Sequence, residues 1–164
     1  MKSPLSPPAS CSASTPVLPS EQPVEIITIK NRRYSTSLTK IDLAWMKLTD
    51  KDIKPLWHMT SLTELFMNCN QISNLTPLKA LTNLTTLFLG KNPISDLTPL
   101  AGLTKLTHLW LNNNQISDLT PLAGIATLPK LFLHSNSITD WSPIAHIRGV
   151  LGRPRSRTQK KRPG

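Results

Sequence analysis

Cysteine is almost missing from this sequence. Its 164 residues hold two, Cys11 and Cys69, too few for a disulfide framework and not at metal-ligand spacing. The four histidines (His58, His108, His134 and His146) form no H-x-x-x-H pattern and have no cysteine beside them, so neither a metal nor a cofactor is expected. Long apolar runs are missing too. No stretch approaches the length of a membrane span, and no h-region-like run follows Lys2 as a secretory signal would require. Acidic residues vanish from Arg148 onward, where seven basic residues follow one another without an Asp or Glu.

That last gap explains the net charge of +10. Residues 1 to 147 carry 12 Lys/Arg against 9 Asp/Glu, and Leu38 to Ile147 carry 8 against 7. The central region is therefore nearly neutral. A basic tail of this kind holds phosphates or acidic surfaces through charge alone, so no sequence-specific nucleic-acid binding is expected. The tail, residues 150–164, reads as disordered. At the other end, six of the fifteen prolines and six serines fall within residues 1–23, which have little to bury and read as a disordered linker.

Between these ends the chain repeats itself. ISDLTPLAG stands at Ile94 to Gly102 and again at Ile116 to Gly124. Segments of 22 residues begin at Leu62, Leu84, Leu106 and Leu128. Leu38 to Ser61 is the same unit with two extra residues, assigned to Lys51 and Asp52, which makes five units. Each opens L-x-x-L-x-L-x-x-N. The alternation suits a short half-buried strand, and like strands at so short a period must stack in parallel, roughly 4.8 Å apart. No unit can bury its leucines alone, so its neighbours supply the core.

The ninth position holds Asn70, Asn92, Asn114 and Asn136. A carboxamide there can turn inward and satisfy backbone groups that a tight bend leaves unpaired, so these four are structural. In the first unit Met46 takes that slot and cannot do the job, so that unit is expected to bend differently. In ISDLTPLAG the Thr can cap and the Pro can open a short helical turn. Ile94, Leu97, Leu100 and Leu103, at every third residue, suit a single 3-10 turn facing inward.

The pattern L-x-x-L-x-L-x-x-N-x-I-S-D-L-T-P-L-A-G-L-T resembles the 22-residue leucine-rich repeat of the internalin type, found in bacterial surface and secreted proteins. The resemblance covers Leu38 to about Ile147. It implies an α/β fold: a right-handed leucine-rich-repeat solenoid with short parallel strands on the concave face and 3-10 turns on the convex face. It also implies protein recognition through the concave face, no catalysis, and a cell-surface or secreted location. The domain is placed at residues 38–149. Residues 24–37 read as a hairpin capping the first unit. No capping unit is seen after the last: Val150 fits the first position of a further unit, but Arg153 falls where its second Leu should be.

The strand letters that leave the core place Asp42, Phe66, Phe88, Trp110 and Phe132 at one position of successive units, hence in one row. Nothing in the scaffold demands aromatics there. Contiguous exposed apolar surface marks a contact site, and aromatics anchor interfaces. Asn68, Gly90, Asn112 and His134 flank the row on one side, and Lys40, Glu64, Thr86, His108 and Lys130 on the other. The residues expected to touch a protein partner are Phe66, Phe88, Trp110, Phe132, Asn68, Asn112, His108, His134 and Lys130. The plainer reading is that the aromatics favour strands and stack on one another. Aromatic rows also stack on sugar rings, so a glycan is the second partner class. A third reading makes the chain a fragment of a larger surface protein. Trp45 is placed at the edge of the row, Trp57 exposed on the convex side and Trp141 in the core. Catalysis is not expected, because no oriented nucleophile, base and acid is present. A monomer is expected, with an uncapped last repeat that could associate.

Overall fold

The computed structural model describes residues 26–126 and 128–154. The linker at residues 1–23, the first two residues of the hairpin segment and residues 155–164 of the tail lie outside the described residues.

Six short strands form one parallel sheet in chain order: β3 (Lys40–Asp42), β4 (Glu64–Phe66), β5 (Thr86–Phe88), β6 (His108–Trp110), β7 (Lys130–Phe132) and β8 (Val150–Leu151). Before them, β1 (Ile26–Ile29) and β2 (Arg32–Ser35) make an antiparallel hairpin. Ile27 and Ile29 of β1 are buried and join the same core cluster as the repeats. The middle residue of each repeat strand, Ile41, Leu65, Leu87, Leu109 and Leu131, points inward and is buried. Period-2 alternation leaves the residues on either side of it on the opposite face.

Each strand from β3 to β7 is answered across the core by a 3-10 turn: η1 (Lys54–His58), η2 (Thr76–Leu78), η3 (Thr98–Leu100), η4 (Thr120–Leu122) and η5 (Ser142–Ile144). Proline stands in the opening turn of each, where its fixed φ suits the helix and its missing N–H costs nothing. Leu97, Leu100 and Leu103, with Ile94, are at most 1% exposed, so the three-residue period does face the core.

The cap is supplied differently from the expected threonine hydroxyl. The residue two before the threonine accepts its backbone N–H: Asp96 Oδ1 from Thr98 at 2.8 Å, Asp118 from Thr120 at 2.8 Å, and Asp140 from Ser142 at 2.8 Å. A carboxylate reaches that N–H from outside the turn, which a hydroxyl on the turn's own first residue cannot do. Hydrogen bonds from Thr98 and Thr120, side chain and backbone, hold the Asp96 and Asp118 carboxyls below the usual range, and Ser142 does the same for Asp140. Asp50 is also lowered: partial burial pushes it up, but hydrogen bonds from the backbone of Asn74 and from the hydroxyl and backbone of Ser73 outweigh that. A depressed folded-state pKa contributes stability above the unfolded value of 3.8 and loses it as pH falls through the folded value. The melting temperature should therefore drop below about pH 4. Asn74 does the same capping with a neutral amide, accepting from Thr76 N–H at 2.9 Å. Asp96→Asn/Asp118→Asn/Asp140→Asn should thus be less stable than the wild type at neutral pH, converge on it at about pH 3 and show a flatter acid limb. An acid limb as steep as the wild type's would show that these caps do not carry it.

The four asparagines form a ladder between units. Asn92 Oδ1 accepts the N–H of Ile72 in the preceding unit at 3.1 Å, and its Nδ2 donates to Met67 O there and to Leu89 O in its own unit, both at 3.0 Å. Asn70, Asn114 and Asn136 repeat the pattern against Leu48, Ile94 and Ile116. Because each asparagine serves the unit before it, the first unit has nothing to serve, and Met46 is tolerated. That unit shares one feature of the common bend, Trp45 taking the left-handed backbone (φ 61) that Cys69, Lys91, Asn113 and Ser135 take (φ 54 to 58), and otherwise bends differently, as expected. What is added there is a second left-handed residue, Lys47, and Lys30 Nζ donating to the carbonyls of Met46 and Lys47. A second ladder was not foreseen: the Thr85 and Thr107 hydroxyls donate to the carbonyls of Thr63 and Thr85, one unit back.

The far end also departs from expectation. Val150 pairs with Leu131 and Leu151 with Phe132, so Val150 holds the second apolar position of a unit, not the first. The strand therefore extends past the boundary set at residue 149 and into the segment read as disordered. Two glycines permit the early return. A Cβ on Gly149 would overlap the Pro129 carbonyl, and Gly152 (φ 109) sits against the backbone of His134 in a conformation other residues rarely adopt.

Candidate functional site

Strand register decides what the outward face displays. Asp42, Phe66, Phe88, Trp110, Phe132 and Leu151 are successive partners across β3 to β8. The four aromatics are half-buried and pack edge-on, with ring centroids 4.7 Å apart for Phe66–Phe88 and 5.0 Å for Trp110–Phe132. Phe88 and Trp110 touch between them. Edge-to-face packing gives each ring a fixed tilt. The row is thus a preformed apolar ridge, not a set of loose side chains.

Its ends differ. At β3, Asp42 turns back to accept the backbone N–H of Ala44 at 2.9 Å, which closes the ridge with a carboxylate. Beside it Lys40 Nζ lies 5.1 Å from the Phe66 ring centroid and 2.9 Å from Glu64 Oε2. At β8 the ridge continues into Leu151, which is 54% exposed. Leu151 was missed in the sequence because the last unit returns three residues early, out of the 22-residue register.

The flanking residues fall as the pattern placed them. Thr86, His108 and Lys130 are register partners on one flank. His108 Nδ1 is tied to the Thr107 hydroxyl at 2.9 Å, while Lys130 is exposed. On the other flank Asn68 and Asn112 are half-buried and His134 is exposed. Asn70, Asn92, Asn114 and Asn136 are spent inside, on the backbone.

Where the second flank meets the ridge lies a depression of about 280 Å³, lined by Trp45, Asn68, Cys69, Phe88, Gly90, Lys91, Trp110 and Asn112. Gly90 makes room for it: a Cβ there would come within 2.7 Å of the Asn112 side-chain oxygen. Trp45, 71% exposed, stands at its margin with Lys91 Nζ 5.8 Å from the ring centroid. The sequence showed Gly90 only as a flank position, and Lys91 gave no signal in it. Trp57 is exposed on the turn side and Trp141 packs half-buried against the core. No group of three or more His, Cys, Asp or Glu that could hold a metal occurs among the described residues. Nor is any described helix long and apolar enough to cross a membrane.

A family model described as leucine rich repeats (2 copies) matches residues 82–124. The solved structure of internalin C2 from Listeria monocytogenes is 42% identical, with a TM-score of 0.67, over 70% of this chain and 50% of that one. The chain is an internalin-like leucine-rich repeat protein. A second Listeria monocytogenes internalin, inlF, is 28% identical over 73% of this chain and 43% of its own, with a TM-score of 0.58. A Leptospira interrogans leucine-rich repeat protein is 26% identical over 57% and 26%, with a TM-score of 0.51. No curated protein matches the chain. This internalin-like chain thus spans half the length of the internalin C2 structure it resembles. The leucine-rich repeat solenoid is a fold of protein-interaction modules, and here its strand face carries the aromatic ridge.

Proposed function

We propose that this is a non-catalytic recognition module of a bacterial surface or secreted protein, which binds a protein partner along the strand face. The observation that carries the reading is the continuous ridge Phe66–Phe88–Trp110–Phe132, packed edge-to-face along the sheet register. The scaffold itself needs only the inward residues. An apolar centre with polar borders at Asn68, Asn112, His108, His134 and Lys130 matches the core and rim of an interface. Aromatics at such a centre dominate affinity.

Phe88→Ala/Trp110→Ala tests it. Both side chains are half-buried on the outer face, so the far-UV spectrum should stay unchanged. Partners detected on a protein array should lose at least about tenfold in affinity. Unchanged capture would move the site off the strand face. A glycan array in parallel separates the partner classes: sugar binding lost in the same variant, with no protein captured, would make the ridge a glycan platform.

A further inference from the structure

The turn side of the solenoid carries a second surface that the strand-face reading does not use. The five 3-10 turns are copies of one another, so the departures from the common pattern stand out. The third and fourth turns read Thr-Pro-Leu followed by Ala101 and Ala123. The first turn instead has Lys54 at the Thr position and Trp57 at the Ala position, and the second has Lys79 at the Ala position. The turn needs none of the three, since Ala serves it elsewhere. All three line one groove of about 660 Å³, floored by Thr76, Pro77 and Ala80. Trp57 is 59% exposed and edge-on to His58 at 4.9 Å. Lys54 and Lys79 are exposed, and the Lys40–Glu64 contact is the one ion pair among the described residues, so neither is neutralised there.

We infer that this groove docks an acidic segment of a protein partner, with one aromatic or aliphatic side chain against Trp57 and its carboxylates against Lys54 and Lys79. Charge complementarity selects that occupant. A second copy of this chain is disfavoured, because two molecules of net charge +10 repel. An anionic bilayer is disfavoured, because surface adsorption uses clusters of roughly four to eight basic residues and a projecting apolar face. Two lysines flanking a recess suit a short peptide better.

The test uses the full chain and a fluorescein-labelled peptide of six Asp/Glu residues around a central Phe, read by fluorescence anisotropy. Trp57→Ala should weaken binding about tenfold and leave the melting temperature unchanged. Lys54→Glu/Lys79→Glu should abolish it, and replacing the peptide's Phe by Ser should weaken it severalfold. Phe88→Ala/Trp110→Ala should bind the peptide as the wild type does, which separates this groove from the strand face. Binding that survives Trp57→Ala and both lysine substitutions belongs to the basic stretch after Arg148 and overturns the inference. Peptide binding lost in Phe88→Ala/Trp110→Ala but kept in Trp57→Ala overturns it too. So does Trp57-dependent binding to phosphatidylserine vesicles with none to the peptide.

Discussion

Asn92→Asp should destabilise the solenoid more than Asn92→Ala, and the gap should widen as pH rises. Asn92 is 6% exposed and bonds both ways, accepting from Ile72 N–H and donating to the carbonyls of Met67 and Leu89. Ala leaves the Ile72 N–H without its partner in the interior, while Met67 O and Leu89 O each lose one of two donors and keep the other, from Asn70 and Asn114. At about 1–3 kcal/mol for the one unsatisfied N–H, with a smaller loss at the two carbonyls, the cost comes to roughly 2–3 kcal/mol. Asp keeps the acceptor but aims its second oxygen at two carbonyl oxygens, where an amide had donated. The ionised form is then both desolvated and repelled, and folding favours the protonated acid. The sign follows from linkage: the folded state binds the extra proton, so stability is greatest below the unfolded value near 3.9 and is lost as pH rises through the folded one. Urea unfolding at about pH 4.5 and about pH 8 should show a fall for Asn92→Asp and none for Asn92→Ala. Equal midpoints for the two variants at the higher pH would mean that the amide's donors contribute nothing.

The contrast between the two ends shows how far a sequence of this kind can be read. Wherever the 22-residue period holds, a leucine's slot predicts its burial, and Phe66, Phe88, Trp110 and Phe132 fall in register by arithmetic alone. The period encodes a translation between neighbours, so it carries no information where a neighbour is missing. That is why Met46 looked like a defect: in the sequence an asparagine belongs to its own unit, whereas in space it also serves the unit before. It is also why Leu151 escaped, since Gly149 and Gly152 let the chain return early. The groove at Trp57 was half legible. Its tryptophan stood out as exposed, but Lys54 and Lys79 belong to different units and meet only once the turns are stacked. The depression at Gly90 was the least visible, because it depends on a side chain that is absent and on how the amide of Asn112 leans.

Leu109→Ala should cut the solenoid in two. Leu109 is fully buried at the centre of β6, in register with Leu87 and Leu131. Truncating a buried leucine costs about 2–5 kcal/mol, the upper end where the walls cannot relax. A strand held on both sides by identical ladders has little freedom to close the gap. In a globular core that loss would spread over the whole fold, but repeat units contact only their neighbours and stability is nearly a sum along the chain. The weakened joint therefore divides unequal parts. On one side stand the hairpin and β3 to β5, and on the other only β7 and the two-residue β8, with Leu151 largely exposed. The shorter side should open first. Amide exchange should accelerate strongly at Leu131 and Leu133, moderately at Leu111, and little at Leu65 and Met67. Uniform acceleration across all strands would mean that the units unfold as one. The strand face gives the complementary check: opening at β7 withdraws Phe132 from the ridge, so Leu109→Ala should weaken partner binding from a position no partner can touch. Trp110→Ala, one residue along and half-buried on the outer face, should do the reverse, with a large loss of binding and about 1 kcal/mol of stability. The ordering of these two neighbours by stability and by binding, opposite in the two measurements, is what separates a residue that builds the face from one that uses it.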